Sequence, residues 1–111
     1  MKADRVIEKF ISGLEKYGLK EKIARMYLFG SRAKGAERHD SDYDLLLVVN
    51  FKETSDVIKF KDKAYDIVMD ILLNTGHVVS LKIFKKMEFE RLCSLETPFT
   101  KNVLKEGIKI G

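Results

Sequence analysis

Apolar residues recur along the chain in two rhythms. Over residues 4–17, Ile7, Phe10, Ile11, Leu14 and Tyr17 fall at helical spacing, and Gly18 follows as a natural helix stop. Two short unbroken apolar runs come next, Met26-Tyr27-Leu28-Phe29 and Leu45-Leu46-Leu47-Val48-Val49. They have the pattern of buried strands, which places strand one at about 24–29 and strand two at about 42–49. Thr54 or Ser55 can cap a long helix to about Thr75, with Val57, Ala64, Tyr65, Val68, Ile71 and Leu72 as its core stripe and Gly76 as its end. Val78 to Phe84 reads as strand three, and Lys85 to Cys93 as a short helix with Met87, Phe89 and Leu92 inward. Thr97-Pro98 opens a last helix, because proline suits the first helical position; Gly107 ends it, and Ile108-Lys109-Ile110 reads as a stub strand. The order predicts an α/β (α+β) chain, one domain over residues 1–111, with a mixed sheet of about three main strands flanked by helices.

Composition narrows the class. A chain of 111 residues with 45% hydrophobic and 34% charged residues can bury a core, which argues against disorder. No apolar run approaches the roughly 20 residues of a membrane span, and no apolar signal-peptide core follows the first residues. The single Cys93 excludes an internal disulfide framework, and a cytoplasmic protein is expected. A formal charge of +4 favours anionic partners. The 17 acidic residues are interspersed with the 21 basic ones, however, as on a solvated surface. The aromatics fall mainly at core-periodic positions, so direct nucleic-acid binding is not expected.

The chemistry concentrates in Gly30 to Asp44, between the first two strands. Gly30 lets the backbone turn sharply and approach a ligand closely. Ser31 can cap a short helical turn through Ala33, whose free N–H groups suit a phosphate. Asp42 and Asp44, two apart at the mouth of a strand, project their carboxylates side by side. Such a pair repels itself until a divalent cation intervenes, and magnesium is commonly held by carboxylates together with phosphate oxygens.

Gly-Ser, ten residues, then Asp-x-Asp resembles the signature of the polymerase-beta-like nucleotidyltransferases, with Gly30, Ser31, Gly35, Ser41, Asp42, Asp44 and Leu45 matching position by position. The pieces are unspecific singly and specific together at this spacing between two strands. The resemblance implies the nucleotidyltransferase fold and transfer of NMP, AMP by expectation, from an NTP such as ATP to an acceptor hydroxyl. It makes Asp42 and Asp44 the catalytic and Mg²⁺-holding residues, and Gly30, Ser31 and Arg32 the nucleotide-binding ones. The chain also resembles the minimal members of that family, many of which pair with a helical HEPN toxin. This implies a HEPN-type partner that brings the acceptor, an antitoxin role, and a homodimer as the second possibility.

In the family a second metal uses a third carboxylate on strand three. Here that position falls at or next to Ser80, and no Asp or Glu lies on the strand. Asp70 or Glu53 could stand in; otherwise they and Asp66 are surface charges. The alternative function is therefore a catalytically impaired nucleotide-binding or partner-binding module acting by contact. Lys34 and Arg38 read as solvated loop charges, and His39 and His77 as exposed loop histidines. Cys93 reads as a packing residue, and Tyr43 points opposite the two aspartates.

Overall fold

A computed structural model describes residues 4–30 and 42–110. Strands β1 (Ile23–Phe29), β2 (Tyr43–Val49), β3 (Val79–Lys85) and β4 (Ile108–Ile110) form a mixed sheet in the order β3-β2-β1-β4. β1 is antiparallel to both β2 and β4, whereas β2 and β3 are parallel. A parallel pair needs a crossover, and helix α2 (Thr54–Thr75) supplies it. Helix α1 (Arg5–Lys16) precedes the sheet, and α3 (Lys86–Ser94) and α4 (Pro98–Glu106) lie between β3 and β4. The stub strand pairs Ile108 and Ile110 with Leu28 and Met26, so the sheet has four strands.

Strand alternation sorts the core into two layers. Leu45, Leu47 and Val49 face Val6, Phe10 and Leu14 of α1 and Phe60, Ala64 and Ile67 of α2. Leu46 and Val48 face the other way, with Tyr27, against Phe89 of α3 and Val103 of α4. β2 is thus covered on both sides, which is why its sequence reads as a continuous apolar run.

The helices differ from expectation in four places. The buried stripe of α2 is Val57, Phe60, Ala64, Ile67, Val68 and Ile71, whereas Tyr65 is 47% exposed and Leu72 half-buried. Packing against α1 sets this phase: a Cβ added at Gly13 would lie 2.7 Å from Ile67 Cγ2, so Ile67 fills the notch that glycine leaves. Met87 is 81% exposed, and Phe89 alone of α3 is fully buried. Glu53, not Thr54 or Ser55, takes the N-cap position of α2. The Thr54 hydroxyl instead accepts a hydrogen bond from Lys85 Nζ at 3.0 Å, joining the start of α2 to the end of β3. Tyr17 lies just past α1 and is 39% exposed.

Candidate active site

Asp42 immediately precedes β2, and Asp44 is its second residue. Tyr43, between them, turns into the α1–α2 layer, where it is buried. Its hydroxyl donates to Asp4 Oδ2 at 2.9 Å. The other oxygen of Asp4 caps α1, accepting from the backbone N–H groups of Val6 at 2.8 Å and Ile7 at 3.2 Å. One carboxylate thus fastens the first helix to the start of β2. With Tyr43 held inward, Asp44 must face the opposite side of the sheet.

On that side Asp44 pairs across the ladder with Phe29, and the chain leaves β1 through Gly30. Gly30 has φ of 75°, a left-handed conformation that side chains resist. A Cβ there would also collide with the Asp44 carboxylate, which lies directly over the glycine. Two separate reasons therefore keep this position free of a side chain.

Desolvation by partial burial, reinforced by the charge of Asp42, raises the Asp44 carboxyl above its ordinary value, and the charge of Lys82 acts in the opposite sense. A carboxylate strained in this way is stabilised by any cation placed against it. Among the described residues no cluster of three or more His, Cys, Asp or Glu side chains could cage a metal by itself. Two carboxylates with open coordination positions suit a hard cation that takes its other oxygens from water and phosphate, so the donors present fit magnesium.

Ser80 is the direct partner of Asp44 across the parallel β2–β3 ladder, so the strand-three position expected to carry an acid holds a hydroxyl. The suggested substitutes do not come near. Glu53 follows the far end of β2, and Asp66 and Asp70 lie exposed on α2, which covers the face away from Asp44. Ser31, Arg32, Lys34, Gly35, Arg38, His39 and Ser41 lie outside the described residues. His77 is half-buried rather than exposed, with its ring edge-on to Tyr43 at 5.6 Å between centroids. Cys93 is half-buried against the α3–α4 core, a packing position. Lys82 is the residue that sequence reasoning missed. Its signal was the period of two from Ser80, which puts it on the Asp44 face.

Comparisons with known proteins agree with this architecture. Two candidate protein adenylyltransferases of Methanocaldococcus jannaschii are similar in sequence. One is 30% identical over 110 residues, 96% of each chain, and the other 32% identical over 96 residues, 83% of each. The fold resembles a candidate nucleotidyltransferase of Sulfolobus solfataricus, with TM-score 0.53 and 20% identity over 97% of this chain and 87% of that one. It also resembles a chain in the MntA–HpeT toxin–antitoxin structure, with TM-score 0.57 and 19% identity over 95% and 71%. The sequence model of the polymerase beta nucleotidyltransferase domain matches residues 8–111. The chain belongs to the polymerase beta nucleotidyltransferase family.

Proposed function

We propose that this protein transfers AMP from ATP to a hydroxyl on a partner protein, with Asp42 and Asp44 holding Mg²⁺. The observation that carries the reading is the Asp44 carboxylate lying over a side-chain-free Gly30, with Asp42 beside it at the mouth of a central strand. This leaves an anionic, partly desolvated spot next to a backbone turn that a polyphosphate can approach closely. Bound there, the metal would screen the phosphate charge and favour departure of pyrophosphate. The chain's own residues fix the geometry: Tyr43 and Asp4 hold the strand end in place, Gly30 leaves room, and Gly30, Ser31 and Arg32 are assigned to the nucleotide. In the transfer the acceptor oxygen bonds the α-phosphorus, the bond to the bridging α–β oxygen breaks, and the acceptor proton passes to solvent.

Two sequence relatives are named as candidate protein adenylyltransferases, which supports AMP as the group and a protein as the acceptor. A structural neighbour stands in a toxin–antitoxin assembly, which supports a partner protein; its HEPN type is implied by the motif resemblance. No helix among the described residues is long and apolar enough to cross a membrane.

The test is incubation with α-labelled ATP, magnesium and a candidate HEPN-type partner protein. Label should move to the partner with wild type and stay on ATP with Asp42→Ala or Asp44→Ala. Transfer unaffected by both changes would reject the site. A second reading, inhibition by contact alone, is favoured by Ser80 standing opposite Asp44. A stable, unlabelled complex would select it.

A further inference from the structure

β3 presents Ser80, Lys82 and Phe84 to the side of the sheet that carries Asp44. Lys82 is therefore the one charged residue of β3 on that face. It sits diagonally across the ladder from Asp44, one step beyond Ser80, a separation that a long side chain spans. Lys82 is exposed, whereas Phe84 beyond it packs into the α3–α4 core. The other lysine of β3, Lys85, is already tied to Thr54 at the far end of the strand.

We infer that Lys82 contacts the phosphates of the bound nucleotide and takes the place of a second divalent ion, so that the site works with one metal. This rests on the nucleotidyltransferase reading above. Among the described residues, a second divalent ion on the β3 side would find one neutral hydroxyl for a ligand and an ammonium for a neighbour, and both work against it. A triphosphate brings several negative charges that a single metal leaves partly uncompensated. An ammonium on a flexible stem supplies three donors and a positive charge without demanding a coordination geometry. Ser80 and Lys82 thus act in the same direction: the hydroxyl withholds a ligand and the lysine supplies the charge.

The experiment counts bound Mn²⁺ by electron paramagnetic resonance in the presence of a non-hydrolysable ATP analogue, and measures analogue affinity by calorimetry. The full chain should hold one Mn²⁺ per analogue. Lys82→Gln should weaken the analogue about tenfold or more, as expected for a lost charged hydrogen bond, while melting like wild type because the side chain is exposed. Lys82→Arg should keep most of the affinity. Two Mn²⁺ per wild-type chain, or unchanged affinity in Lys82→Gln, overturns the inference. Asp44→Ala separates the two levels. If it abolishes analogue binding while Lys82→Gln does nothing, only the role of Lys82 falls; if it too binds normally, the site itself is wrong.

Discussion

Asp44 is held where a negative charge is unwelcome, and that has a thermodynamic signature. Its carboxyl keeps a proton to higher pH in the folded than in the unfolded chain, chiefly through desolvation and then through Asp42. Folding stability should therefore fall as pH rises from the ordinary carboxylate range through the raised value, and stay lowered at neutral pH. Removing the charge should reverse this. Asp44→Asn is expected to melt a few degrees higher than wild type at pH 7 without metal, and the two should converge in acid. Added magnesium should raise the wild-type melting temperature and leave Asp44→Asn unmoved, which differential scanning calorimetry can check. The neighbouring glycine makes the opposite case. Gly30→Ala meets both a left-handed backbone and the Asp44 carboxylate, so it should cost about 1–2 kcal/mol of stability and weaken nucleotide binding as well.

Between elements, the Asp4 side chain joins the α1 cap to the start of β2. Tyr43→Phe removes the hydrogen bond to Asp4 and should cost about 1 kcal/mol. Asp4→Ala removes the cap as well and should cost about 2 kcal/mol. The double variant should cost less than the two singles together, because both lose the same contact; urea titrations of all four proteins would show additivity instead if the contact contributed nothing. The α1–α2 contact is set in a similar way by one small residue. Gly13→Leu would drive a branched side chain into Ile67 and should destabilise by about 2–3 kcal/mol, whereas a change at exposed Tyr65 should stay within about 0.5 kcal/mol. Sequence periodicity placed the end of α2 correctly, since Gly76 stops it in a left-handed turn with φ of 77°, and its cap one or two residues late. It misassigned Tyr65 and overlooked Phe60 and Ile67, because several apolar stripes share that helix and only the position of α1 and the sheet chooses among them.

For the whole molecule, ligand binding should read out as stability. With magnesium and a non-hydrolysable ATP analogue at about a hundred times the dissociation constant, unfolding should be opposed by about 2.7 kcal/mol more. Asp42→Ala and Asp44→Ala should show none of this gain in a thermal melt. What the linear chain carried was the element order and the Gly-Ser to Asp-x-Asp spacing that marks the family. Unbroken apolar runs, helix stops and the Gly-Ser to Asp-x-Asp spacing are local patterns, and each constrains its own neighbourhood whatever the rest of the chain does. Tertiary pairing decided the rest. Only the parallel register puts Ser80 against Asp44 and brings Lys82 to the same face, because strand pairing joins residues about 36 positions apart that no local pattern relates. Only the packing of α2 on the opposite layer removes Asp66 and Asp70 from the site. Which charges meet depends on how faces are distributed across a folded sheet, and a sheet face is a property of the assembled strands, not of any one of them.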